Sequence, residues 1–214
     1  AVRSRGLGDV YKRQPTPNGR KISIMLEELG VDFNPILINL DKKEQFSKEF
    51  SKISPANKIP VIVDNDNNQT VFESGAILLY LAKKYDKFLD KDKYWEIIQW
   101  VFFQMAYVGP MLGQAHQYLF YHPGKSKFAE DKTKGYAQHI YSILDKRLSK
   151  QEYFSDTYSI ADISIWPWTA RYERHQINLH DYPNVLRWYK QISTRPAVIK
   201  GYNSVGESYE IPKP

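Results

Sequence analysis

The chain has 214 residues and no cysteine, with 42% hydrophobic and 14% aromatic side chains and a net charge of +6. This excludes disulfides, thiolate metal sites and a cysteine nucleophile, and it argues against a disordered chain. No apolar run nears the length of a membrane span and no signal-peptide pattern is present, so the expectation is a cytoplasmic globular protein, away from any membrane, with one large or two small domains. The sequence pI near 9.2 admits an anionic ligand. Lysines and acids alternate almost everywhere, and no zinc finger, RNA-binding aromatic signature or phosphate-cradling Gly-Lys loop is present. The charge therefore reads as a solvated surface, with no nucleic-acid partner.

Residues 1–14 are basic and lack periodicity. They read as a non-native leader, with a weak strand at Val10–Lys12 and Ala1–Gly6 loose. Pro15-Thr16-Pro17-Asn18-Gly19 is a turn by composition. Ile22, Met25, Leu26 and Leu29 recur at helical spacing, and Gly30 ends the run. Ile36, Ile38 and Leu40 alternate as in a strand. Phe46, Phe50 and Ile53 suit a short second helix. Val61–Val63 is a buried strand, Asp64–Gln69 a polar turn, and Thr70–Phe72 its antiparallel mate. Ile77, Leu78, Leu81, Ala82 and Tyr85 predict a helix over Ser74–Tyr85.

Within this stretch two segments carry chemistry. Ile59 precedes a proline, so it is extended and offers its N–H and C=O to a peptide lying alongside, the more so if the Ile59-Pro60 bond is cis. Glu73-Ser74-Gly75 opens a helix whose first N–H groups suit a carboxylate. Together they suit a small acidic peptide.

Residues 87–93 form a charged linker, and no strand pattern follows. Tyr94, Ile98, Val101, Phe102 and Met105 mark a helix, which Gly109-Pro110 bends or breaks. Tyr136, Ile140, Ile143, Leu144 and Leu148 mark another. Ser159-Ile160-Ala161-Asp162 reads as a structural capping box opening a helix to Arg174, kinked at Pro167. Val185, Trp188, Tyr189 and Ile192 mark a last helix, ended by Arg195-Pro196. Trp166, Trp168, Phe102 and Phe103 read as core. The histidines are scattered without metal spacing, so no metal is expected.

The expected architecture is an α/β thioredoxin-like N-terminal domain over residues 15–86, with a four-stranded mixed sheet, and an all-α helical domain over 94–214. The motifs Pro15-Thr16-Pro17-Asn18-Gly19, Ser54-Pro55-Ala56-Asn57-Lys58-Ile59-Pro60, Phe72-Glu73-Ser74-Gly75, Gly109-Pro110-Met111-Leu112-Gly113-Gln114 and Tyr158-Ser159-Ile160-Ala161-Asp162 occur in one chain. In that combination the sequence resembles the cytosolic glutathione transferases, and in particular their bacterial nu class of glutathione-dependent disulfide-bond oxidoreductases.

The resemblance implies glutathione as cosubstrate, a small disulfide or electrophile as second substrate, weak transferase or peroxidase activity, and a homodimer. It implies that Thr16 and Asn18 face the glutathione sulfur and that Ile59, beside Pro60, pairs with the cysteinyl unit. Glu73 and Ser74 would hold the γ-glutamyl end, and Gln45 the glycyl end. It puts Lys132 where the family often has an arginine reaching across the dimer, a point cation in place of a fork. Tyr107, Met111, Gln114, His116 and Tyr172 are candidates for the electrophile wall. Thr16 and Asn18 are also good turn formers, Glu73 and Ser74 also suit helix capping, and Tyr11 is a competing thiol donor. A non-catalytic binding or regulatory relative is the alternative function.

Overall fold

The computed structural model describes residues 7–12, 16–203 and 209–214. The chain divides into two compact units. One combines the chain up to Lys87 with Arg195–Glu210, and the other combines Phe88–Thr194 with Ile211–Pro214.

The first unit is built on a four-stranded mixed sheet of order β2-β1-β3-β4, with β1 Gly8–Lys12, β2 Asn34–Leu37, β3 Val61–Asp64 and β4 Gln69–Phe72. β1 runs parallel to β2 and antiparallel to β3, and β3 and β4 form the hairpin expected from the polar turn. The helices α1 Pro17–Leu29, α2 Lys48–Ile53 and α3 Ser74–Tyr85 belong to it, with a C-terminal helix described below. Gly30 ends α1 in the left-handed conformation, φ 68°. On the α2 side Ile38, Phe50 and Val61 form a buried cluster, joined by Leu40, Ile53 and Ile59. Buried Asp64, at the end of β3, accepts from Tyr80 (2.6 Å) and from Lys84, which ties the hairpin to α3.

The weak strand expected at Val10–Lys12 forms: β1 lies inside the sheet, paired on both edges, with Val10 fully buried. Gly8 sits at φ +121°, and a Cβ there would stand 2.3 Å from the Val63 carbonyl oxygen. Residues 1–6 and 13–15 lie outside the described residues. One expectation is corrected here: Arg195-Pro196 ends one helix and opens another, α9 Pro196–Tyr202. α9 packs on α1, so 195–210 joins the first unit instead of the helical domain. A Cβ on Gly201 would lie 2.6 Å from Ile24 Cα, so only glycine allows this approach. Buried Arg20 stacks over the Tyr202 ring at 3.3 Å and donates to the Tyr202 carbonyl, while Arg195 grips Glu28 through two bonds of 2.6 and 2.8 Å.

The second unit is all helical among the described residues: α4 Tyr94–Phe103, α5 Gly109–Ala115, α6 Lys127–Leu148, α7 Ile160–Thr169 and α8 Pro183–Ser193. Of the bend or break expected at Gly109-Pro110, the break does not occur. A π-helical turn, Gln104–Val108, joins α4 to α5 with helical dihedrals throughout. The wider π turn accommodates the proline ring, which would clash with the carbonyl four residues back in a regular α-helix. Gly109 also brings the backbone to Gln104 and Trp168, since a Cβ there would lie 3.0 Å from the Gln104 carboxamide. α7 carries Pro167 internally but ends at Thr169, five residues short of the expected end.

The Ser159–Asp162 capping box forms as expected. Asp162 accepts from Ser159 N (3.0 Å), Ser159 Oγ (3.1 Å), Phe154 N (3.1 Å) and Trp188 Nε1 (2.9 Å). Burial outweighs these bonds and raises its pKa to about 6. Trp166 and Trp168 are core, whereas Phe102 is 65% exposed, because it lies on the outer face of α4.

Candidate functional site

The site starts from a short loop. Ser54, itself buried, receives the Lys58 N–H at 3.1 Å and donates to the Lys58 carbonyl at 2.8 Å. Ser51 Oγ holds Asn57 at 2.7 Å, and Asn57 takes a left-handed backbone, φ 53°. This frame delivers Ile59-Pro60 to the start of β3, and the peptide bond between them is cis. The Ile59 N–H and C=O have no hydrogen-bond partner among the described residues. An extended edge is thus presented for strand-like pairing.

Opposite stands the start of α3. Glu73 adopts φ 67°, ψ 118°, a backbone that a non-glycine residue rarely takes and that costs on the order of 1–3 kcal/mol. Its side chain makes no capping bond and is exposed. So the capping reading of Glu73 fails, and its carboxylate faces solvent. Ser74 is buried, and Lys21 Nζ donates to its Oγ at 3.2 Å.

The third wall is the N-terminus of α1. Thr16 is the N-cap, its Oγ1 accepting from Gly19 N at 3.2 Å. Thr16 is thus a helix cap and not a turn former, because Pro17, Asn18 and Gly19 already belong to α1, and the bond uses an oxygen lone pair and not the hydroxyl proton. Asn18 stands in the first turn of α1. Asn18, Ser54, Lys58, Ile59, Phe72 and Ser74 are among the residues enclosing a cleft of about 170 Å³. Pro60 and Glu73 line it as well.

Two separate matches cover the two halves of the chain. Residues 8–83 match the model of the glutathione S-transferase N-terminal domain, and residues 107–196 that of the C-terminal domain. The disulfide-bond oxidoreductase YfcG of Escherichia coli is 43% identical over 191 residues, which is 86% of this chain and 89% of that one. The chain belongs to the glutathione S-transferase family. Among solved structures, a glutathione transferase from Pseudomonas putida, with one glutathione disulfide bound per subunit, superposes with a TM-score of 0.86 at 36% identity. The match covers 92% of this chain and 91% of that one. A transferase from Burkholderia graminis, with two glutathione molecules per subunit, gives 0.85 at 37% identity, covering 92% and 88%.

Among the residues expected to bind, this transferase gathers Asn18, Ile59, Pro60, Glu73 and Ser74 around one cleft. Thr16 adjoins through its cap on α1. Gln45 does not line the cleft. It sits half-buried on a 3-10 turn, Glu44–Phe46, with its carboxamide oxygen buried and without a hydrogen-bond partner among the described residues. Lys132 is an exposed residue of α6, in the second unit, with Nζ 5.6 Å from the Phe128 ring and 5.9 Å from that of Tyr136. Tyr11 lies on β1, and its side chain is outside those described.

Of the electrophile-wall candidates, His116 and Tyr172 are buried. His116 stacks on His175 (4.7 Å) and Trp168 (5.5 Å), and burial, with Arg174 and Arg171 adding to it, lowers its pKa to about 4. Sequence reasoning missed Lys58 and Lys21. Lys58 stood inside a quoted motif, next to Ile59. Lys21 occupies an apolar-facing position of α1 where the helical pattern expects a hydrophobe, and that misfit was the available signal.

Proposed function

We propose that this chain is a glutathione-dependent disulfide-bond oxidoreductase that stabilises a bound thiolate without a cysteine of its own, with weak transferase or peroxidase activity. The observation that carries the reading is the unpartnered Ile59 backbone beside cis Pro60, facing Ser74 at the start of α3 across one cleft. A γ-glutamyl-cysteinyl peptide fits that layout: backbone pairing at Ile59 for the cysteinyl unit, and Ser74, Glu73 and the α3 N–H groups for the γ-glutamyl end. Lys58 lines the same cleft and suits the glycyl carboxylate, with Gln45 as a more distant contributor. Lys132 supplies a cation to glutathione bound by the second chain of a homodimer. The exposed Trp95, Phe102 and Phe128 of the helical unit fit burial in such a dimer. The assigned location is the cytoplasm. Among the described residues no helix is long and apolar enough to cross a membrane.

Thr16 and Asn18 act as donors toward the glutathione sulfur. Hydrogen bonds to a thiolate favour the charged form and bring its pKa below the ordinary value near 8.5. Neither side chain takes up the proton, which leaves to solvent. The bound thiolate attacks one sulfur of a substrate disulfide, forming a glutathionyl mixed disulfide and expelling one substrate thiolate. A second glutathione thiolate attacks the glutathione sulfur, releasing the other substrate thiolate and glutathione disulfide. Two glutathiones are oxidised and one disulfide is reduced. The relatives solved with one glutathione disulfide or two glutathiones per subunit support room for both partners.

The test is reduction of bis(2-hydroxyethyl) disulfide by glutathione. Turnover is expected, with Thr16→Ala lowering kcat/KM about tenfold or more at pH 7. Glutathione binding without turnover would sink the enzyme reading in favour of a binding module.

A further inference from the structure

Lysine is rarely buried completely unless it is paired, because a desolvated ammonium is costly. Lys21 has no exposed surface at all. It follows Asn18 by three positions on α1, so the two share a helix face. Its Nζ reaches Ser74 Oγ, across from α1 to the first residue of α3. An ammonium can only donate, so the serine oxygen accepts and the serine O–H points elsewhere. Burial draws the Lys21 pKa well below the ordinary value, and the negative charge of Glu73 opposes that pull. The Lys21 amine thus stands against a cleft residue from inside the protein, with the Glu73 carboxylate favouring its charged form.

We propose that Lys21 is a positioning and specificity-determining residue: its buried charge, relayed through Ser74, selects a ligand carrying an α-carboxylate at the γ-glutamyl end. The inference rests on the glutathione reading of the cleft. Ser74 and the α3 N–H groups alone would hold any hydrogen-bond acceptor. Lys21 makes that seat specific for an anion, since the incoming carboxylate offsets the cost of the buried cation. Lys21 touches neither substrate sulfur nor the reacting atoms, so its effect falls on recognition of one end of the ligand.

The test compares glutathione with 4-aminobutyryl-cysteinylglycine, which lacks only that carboxylate. Dissociation constants for both are measured by calorimetry on the full chain and on Lys21→Met. The full chain should favour glutathione by about 10- to 100-fold, the range of a charge-assisted hydrogen bond. In Lys21→Met the preference should fall to within about threefold, with affinity for the decarboxylated peptide unchanged. Equal weakening of both ligands would assign Lys21 a purely structural role and overturn the proposal, as would retained discrimination. Should Lys21→Met fail to fold, Lys21→Gln keeps a donor to Ser74 without the charge and should lose the discrimination likewise. The unmodified chain is itself decisive: equal affinity for the two peptides refutes the inference, whereas no affinity for either refutes the glutathione reading beneath it.

Discussion

Replacing Asp162 by alanine should be among the most damaging single changes in the helical unit, and its cost should depend on pH in a defined direction. The carboxylate accepts from two backbone N–H groups, the Ser159 hydroxyl and the Trp188 indole. The hydroxyl can turn to another acceptor, but the other three donors would be left buried and unpaired, at about 1–3 kcal/mol each. Relief of desolvating the charge offsets part of this. The difference between a pKa of about 6 and the ordinary 3.8 is worth about 3 kcal/mol. The net cost at pH 7.5 is therefore on the order of 0–6 kcal/mol, about 3 at the midpoint, a large part of a typical domain's stability.

The pH term follows from linkage. The folded pKa is raised, so between about pH 4 and 6 the folded state holds more protons than the unfolded one. The contribution is complete below that window and is lost as pH rises through it. The penalty of Asp162→Ala should hence be about 1.4 kcal/mol larger at pH 5 than at pH 7.5. Buried His116 and His175 act oppositely, since burial lowers both their pKa values and acid destabilises them. They are present in both proteins and cancel in the difference. Urea unfolding followed by tryptophan fluorescence reads the right unit, because all five tryptophans lie between residues 95 and 188. A penalty that is no larger at pH 5 than at pH 7.5 would refute the argument.

Gly201→Ala should destabilise the first unit by about 1–3 kcal/mol, because the added methyl meets Ile24 backbone atoms at 2.6–2.7 Å. Hydrogen exchange should quicken in α1 and α9 and stay unchanged in α6. Ser74→Ala should weaken glutathione binding about tenfold by titration calorimetry while leaving thermal stability within a few degrees. Unchanged affinity would remove Ser74 from the γ-glutamyl seat.

Much of the architecture was legible where local pattern and tertiary environment agree. The hairpin, α3 and the Ser159–Asp162 box each carry their own signal: a polar turn between apolar runs, helical spacing, a side-chain cap. β1 was only faintly legible, since a five-residue central strand needs few apolar positions and Gly8 is there for close approach to Val63. Gly109-Pro110 misled because proline's effect depends on the turn before it, and π geometry leaves no sequence mark. The cleft divides in the same way. Ile59-Pro60 and Glu73-Ser74 act through the backbone, whose behaviour proline and helix starts dictate locally. Gln45 and Lys132 were placed by resemblance and lie outside the cleft lining. Lys21 needed the third dimension, because its meaning comes from a serine 53 positions away.

The clasp of α9 on α1 has a temporal side. Arg20 finds its ring and carbonyl 182 positions further along, and Glu28 finds Arg195 across 167. A chain made from its N-terminus thus exposes α1, with a buried-type arginine still unsheltered, until nearly all of the helical unit has been synthesised. The half of the molecule that carries Ile59 and Ser74 stays incomplete until residues past Thr194 are made, although it is encoded first.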